Sequence, residues 1–157
     1  MTAADRADAR PLVDADVAAL LAEEAAGGLP LLSTLDPRSA RAQDALVQAR
    51  RSAGHPLPAV ASADDAVLAG VLVRVVTPLG EGPFPIVVHL HGGGWVVGSP
   101  ATYDLPVRRL AAETRAVVVD VDYRLAPEHP YPAALGGWCL LPRGGPPISM
   151  IVLGEWP

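Results

Sequence analysis

Ile86-Val87-Val88-His89-Leu90-His91-Gly92-Gly93-Gly94-Trp95 is the stretch that decides the fold. Its first half is apolar apart from His89, as a central strand buried on both faces would be. The glycine run that follows is poor packing material. Each glycine loses more backbone freedom on folding than other residues and offers no side chain to bury. Such a run makes sense where the backbone must take unusual angles, or where something approaches the main chain closely. Bare N–H groups at a turn of this kind cradle an anion.

Downstream, residues 102–114 predict a helix, with Pro106 tolerated because it lies in the first turn. Residues 116–121 predict a second continuously apolar strand. Strand, helix and strand in this order form one βαβ unit with a right-handed crossover, and an α/β sheet follows. Upstream, Pro78-Leu79-Gly80-Glu81-Gly82-Pro83 is a turn, and residues 66–68 and 70–76 read as strands, with Arg74 interrupting the apolar series. His55-Pro56-Leu57-Pro58 is a linker.

Two helices precede any strand. The first runs from Asp14 or Asp16 to Ala26, with Val17, Leu20 and Leu21 at helical spacing, an Asp cap and a Gly27-Gly28 stop. The second starts at Asp36-Pro37, a cap followed by proline at the first helical position, and ends near Gly54. Its apolar face is narrow and alanine-rich, so it needs a partner surface. The pair reads as a lid, and residues 1–10 as frayed. The organisation expected is 1–55 as cap-like helices, 56–135 as a partial α/β core and 136–157 as a tail.

The 157 residues suffice for one domain with a real core. Half are apolar and 18% charged; the net charge is −5, and all twelve basic residues are arginine. No basic cluster suggests nucleic acid. The lone Cys139 makes no internal disulfide and no metal framework. The polar start lacks a signal-peptide core, and no apolar run approaches the ~20 residues of a membrane span. A cytoplasmic location is the default expectation.

The anion at His91–Gly94 is narrowed by elimination. A dinucleotide fingerprint counted from Gly92 would need glycine at position 97, which is Val97. A P-loop needs lysine, and there is none. What remains is the oxyanion of an acyl-transfer intermediate, or no anion at all and merely a tight turn. His89 and His91 alternate on one strand face, but no third ligand is apparent, so no metal and no cofactor is expected.

The second motif is Asp122-Tyr123-Arg124-Leu125-Ala126-Pro127-Glu128-His129-Pro130-Tyr131-Pro132-Ala133-Ala134, a loop rich in proline, close enough for Arg124 and Glu128 to pair across it. One of its X-Pro bonds is a candidate for cis. Together with His91-Gly92-Gly93-Gly94-Trp95 it resembles the hormone-sensitive-lipase branch of the α/β-hydrolase superfamily, over about residues 12–135. The resemblance implies the N-terminal part of an α/β-hydrolase sheet with two cap helices, incomplete here. It implies that Gly93 and Gly94 supply oxyanion-hole N–H groups, that Gly92 shapes the turn, that His91 braces it and that Trp95 packs beneath. Tyr123, Arg124, Pro127 and Glu128 are implied to be scaffold. It further implies a small ester as substrate.

The family also needs serine in G-x-S-x-G, then an acid, then a histidine. None is found in these residues. Ser99 precedes Pro100, Ser149 lies between Ile148 and Met150, and no histidine follows His129. From Gly136 onward the pattern turns to glycine and proline, as a shifted reading frame in GC-rich DNA would give. Gly136-Gly137-Trp138-Cys139 and Pro142-Arg143-Gly144-Gly145-Pro146-Pro147 are expected to form neither helix nor central strand, leaving one short strand at 148–153. Trp138 and Trp156 there are expected to be exposed accidents. The expectation is an esterase fragment inactive alone, or instead a non-catalytic interaction module or half of a split hydrolase. Its sheet would end at residues 117–121, an unpaired apolar edge that invites self-association.

Overall fold

A computed structural model describes residues 13–138 and 148–152. The N-terminal stretch expected to be frayed, Cys139, the 142–147 segment and Trp156 lie outside the described residues. The chain divides into two compact units, the first ending at Thr34 and the second starting at Leu35.

The first unit holds helix α1, Ala15–Ala26, and a single 3-10 turn at Leu32–Thr34. Asp14 sits before α1, its carboxylate accepting from the Asp16 amide at 3.1 Å and its carbonyl from Ala18 at 2.8 Å. Gly28 ends the helix region with φ +65°. The apolar stripe Val17, Leu20 and Leu21 is about half-exposed.

The second unit is built on the βαβ element. Strand β3 (Ile86–Leu90), helix α3 (Asp104–Thr114) and strand β4 (Val117–Val121) form it, with β3 and β4 parallel. Ahead of them, β1 (Ser62–Leu68) and β2 (Val71–Thr77) make an antiparallel hairpin. Its two-residue connection, Ala69-Gly70, has positive φ at both positions, the geometry that matches strand twist. Strand β5 (Ile148–Val152) runs parallel to β3. The order across the sheet is β1-β2-β4-β3-β5.

The order corrects one expectation. Strand β4 is not an open edge: it pairs with β2 on one side and β3 on the other. The crossover through α3 carries the chain back between strands already laid down, so the last strand of the unit lands inside the sheet. Among the described residues the outer strands are β1 and β5.

Alternation along the strands sorts side chains to two faces. On one, Val76, Val87 and Val118 meet Val107 and Ala111 of α3 and Ala116. On the other, Val73, Val88, Val119 and Val121 pack with Tyr123. Val76, Val118 and Val121 are fully buried, and each such valine contributes about 1.5–3 kcal/mol over leaving it in water.

Helix α2, Pro37–Ser52, begins as its sequence dictates: the Asp36 carboxylate accepts from the amides of Arg38 and Ser39 at 3.0 and 3.1 Å. It buries Ala40 and Asp44. Helix α4, Ala133–Trp138, runs through Gly136 and Gly137, where no helix was expected. The glycines cost roughly 1 kcal/mol each against alanine. That cost is offset by Ala134 packing on the Tyr123 cluster and by Leu135 and Gly136 amides donating to Pro132 O at 2.9 and 3.2 Å. Among the described residues no helix is long and apolar enough to cross a membrane.

Candidate active site

The parallel pair β3 and β4 delivers two loops side by side. One leaves β3 at His91 and carries the glycines; the other leaves β4 at Asp122 and carries the prolines. Tyr123 joins them. Its hydroxyl donates to the His91 carbonyl at 2.7 Å, and its ring stacks on the His91 imidazole with centroids 4.3 Å apart. His91 Nδ1 donates to the Gly92 carbonyl at 2.8 Å, and the Tyr123 oxygen lies 3.2 Å from the same nitrogen. His91 is buried, and this desolvation pulls its pKa below the ordinary histidine value. Burial likewise pushes the Tyr123 hydroxyl upward, so it remains a donor.

The glycine turn closes on itself. Gly93 O accepts from the amides of Val96 and Val97, both at 3.0 Å. Gly93 has φ +123°, and a Cβ there would stand 2.1 Å from the Val97 carbonyl oxygen. Gly94 has φ +57° with nothing within 4 Å of its Cβ position. The amides of Gly93 and Gly94 donate to no acceptor among the described residues, and Gly94 is exposed. Gly98, which the sequence did not single out, lies under the bracing histidine: its Cβ would come within 2.3 Å of His91 Nδ1.

Trp95 departs from the role implied for it. Its side chain is 62% exposed instead of buried under the loop, and its carbonyl accepts from the Ala126 amide at 2.8 Å. A φ of +59° turns the side chain out of the loop while keeping that carbonyl aimed at the second loop. The Arg124–Glu128 pair is also replaced. Arg124 is exposed, and Glu128 is gripped by Arg41 of α2 through both carboxylate oxygens, at 2.9 and 2.6 Å. Arg41 also donates to Val96 O and Ala126 O, each at 2.8 Å. The bonds before Pro127 and Pro132 are cis, and both prolines are exposed.

Beneath the loops runs a polar row on the α3 face. Asp65, Arg74, Asp120 and His89 are register neighbours across β1, β2, β4 and β3. Arg74 binds Asp65 at 2.8 and 3.2 Å, and its other nitrogen lies 3.5 Å from Asp104. His89 Nδ1 lies 2.7 Å from Asp120, both fully buried. His89 and His91 flank the Tyr103 ring, at 5.8 and 5.5 Å. His89 is thus engaged with a carboxylate, and no group of three or more ligands fit for a metal occurs among the described residues.

Ser99 serves the turn into α3. Its amide donates to Thr102 Oγ1 at 2.9 Å, and its hydroxyl accepts from the Thr102 amide at 3.3 Å. Arg41, Gly98 and the His89–Asp120 pair were all missed as parts of the site.

Residues 87–138 match the family model of the alpha/beta hydrolase fold. The chain carries an α/β-hydrolase segment. Carboxylesterase NlhH of Mycobacterium tuberculosis is 42% identical over 98 residues, 56% of this chain and 31% of that protein. Esterase LipI of the same organism is 57% identical over 51 residues, 32% of this chain and 16% of its own length. Among solved structures, an ester hydrolase from the metagenome of Lake Arreo superposes with a TM-score of 0.69 at 35% identity, over 80% of this chain and 41% of that one. A variant of esterase rPPE reaches 0.74 at 31% identity, over 85% and 42%. The hydrolase match thus spans less than half the length of these relatives.

Proposed function

We propose that this chain carries the oxyanion loop of a carboxylic ester hydrolase of the hormone-sensitive-lipase branch, whose parent reaction passes through an acyl-enzyme on a small ester. One observation supports the reading above the others. Two consecutive amides, Gly93 and Gly94, are left without an acceptor among the described residues on a turn that is closed by the Val96 and Val97 amides on Gly93 O and held by His91 and Tyr123. Their acceptor, on this reading, is the carbonyl oxygen of an ester as it becomes an oxyanion. Donors held in place before the charge forms lower the barrier most, and losing one typically costs about 10²–10³ in kcat.

The chain as it stands is not expected to turn over esters. No serine lies in G-x-S-x-G, Ser99 is committed to Thr102, and His91 is buried with Nδ1 on Gly92 O. The test is hydrolysis of a short-chain nitrophenyl ester by the purified chain, against a control with Gly93 and Gly94 both replaced by alanine. Turnover above that control would overturn the inactive reading.

The second reading is half of a split hydrolase completed by another chain. It is favoured by the register of β5, whose Val152 stands level with Leu90, one residue before His91. A strand in that position emerges beside the glycine loop, which is where a nucleophile at a strand-to-helix elbow would be useful. Co-expression with a chain carrying G-x-S-x-G should then restore ester hydrolysis, and failure across several such chains would refute the split enzyme.

A further inference from the structure

We propose that Arg41 is the positioning residue of the glycine loop: one guanidinium, sent from α2, sets the distance between the loop that carries Gly93 and Gly94 and the loop that carries Glu128. The inference rests on the oxyanion reading for its catalytic meaning, but its geometry stands independently of any ester.

The guanidinium spans three attachment points far apart in sequence. Nε donates to Val96 O at 2.8 Å; one terminal nitrogen donates to Ala126 O at 2.8 Å and Glu128 Oε2 at 2.6 Å; the other donates to Glu128 Oε1 at 2.9 Å. Val96 is also the residue whose amide closes the turn onto Gly93 O at 3.0 Å. Ala126 donates its amide to Trp95 O at 2.8 Å. Both residues whose carbonyls Arg41 holds also donate their amides to the glycine turn, Val96 to Gly93 O and Ala126 to Trp95 O. The span from Gly93 to Val96 is fixed from two sides, and Arg41 is the group common to both.

Charge alone does not explain the arrangement. The Arg41 and Glu128 side chains are 31% and 54% exposed, and ion pairs at such sites add little to global stability. What the site requires is a planar fork with several donors at fixed angles. Arginine supplies five N–H donors in one plane, whereas lysine supplies one point charge on a flexible stem. The expected signature is thus local: loss of loop order with the sheet left as it was, and no rescue by lysine.

Amide hydrogen exchange on the full chain tests this, with Arg41→Lys, Arg41→Ala and Glu128→Gln beside the parent. In both Arg41 variants, exchange at Val96, Val97 and Ala126 should rise tenfold or more. The β4 amides of Val118 and Val119 should stay within about twofold, and Glu128→Gln should fall between. Three results overturn the proposal: no protection of the three loop amides in the parent, unchanged exchange in the Arg41 variants, or a rise in loop and sheet amides together, which would make Arg41 a residue of general folding. A second arm uses the chain supplemented with a G-x-S-x-G partner that restores hydrolysis. There, Arg41→Lys should lower kcat about tenfold with KM within about twofold. Loosened amides with an unaffected kcat would sink the catalytic meaning of the loop and leave the positioning intact.

Discussion

Replacing Gly93 by alanine separates a glycine required by geometry from one that is merely convenient. At Gly93 the added Cβ would stand 2.1 Å from Val97 O, 2.7 Å from Val97 C and 2.9 Å from Val97 Cγ2. Two of these atoms are backbone, so no side-chain rotation relieves the contact. The φ of +123° adds strain on the order of 1–3 kcal/mol for a residue with a Cβ. Moving the Val97 peptide away breaks the Val96 and Val97 bonds to Gly93 O, roughly 0.5–1.5 kcal/mol each. The sum is about 2–6 kcal/mol. Gly94→Ala has no such contact and a φ of +57°, a left-handed cost of about 1–2 kcal/mol. Urea denaturation of the two variants, followed by circular dichroism with slopes compared, measures the difference directly. Equal losses for the two, or a Gly93→Ala loss under about 1 kcal/mol, would refute the backbone-contact argument.

Three further outcomes follow from the same loops. Tyr123→Phe removes the donor to His91 O at 2.7 Å within a buried setting, and should cost about 1–3 kcal/mol in the same urea assay. Glu128 is held by Arg41 to a pKa of about 2, below its ordinary 4.5. Its contribution to loop order is therefore present above 4.5 and fades as pH falls toward about 2; a carboxyl resonance titrating near 4.5 would contradict it. His91 is lowered from 6.5 by burial. The unfolded chain then binds the proton first, so stability should rise with pH up to about 6.5 and level off above it. An imidazole resonance titrating at or above 6.5 would count against the buried, Gly92-bonded histidine.

What could be read from the sequence was what local chemistry determines. Asp36-Pro37 announced α2, Gly27-Gly28 closed α1, and the apolar runs around His89 and Val119 gave the βαβ unit. The polar first half of β1, Ser62 to Asp65, escaped because an outer strand exposes one face and loses the apolar signal. Non-local pairing was invisible for a different reason. Glu128 finds its partner 87 residues away, whereas the sequence offers Arg124 only four positions off. Nearness in sequence suggested the wrong arginine, and nothing in α2 distinguishes Arg41 from Arg38. Trp95 was misread because the family resemblance implied a ring packed beneath the loop, while its positive φ turns the ring outward. In α4 the glycine rule was outweighed by Ala134 reaching a core the sequence could not locate.

The polar row across the sheet has a consequence for how the strands find one another. β2, β3 and β4 are dominated by valine. Sliding one of them by two residues keeps every side chain on its own face and puts valine where valine stood, so apolar burial scarcely distinguishes the slipped sheet from the true one. Charge does. A two-residue slip of β3 against β4 that brought Val87 opposite Asp120 would part Asp120 from His89, its partner at 2.7 Å, and breaking a buried pair costs about 3–5 kcal/mol. Asp65, Arg74, Asp120 and His89 thus act as index marks on otherwise interchangeable strands, letting only one alignment of the ribbon close with all four in line.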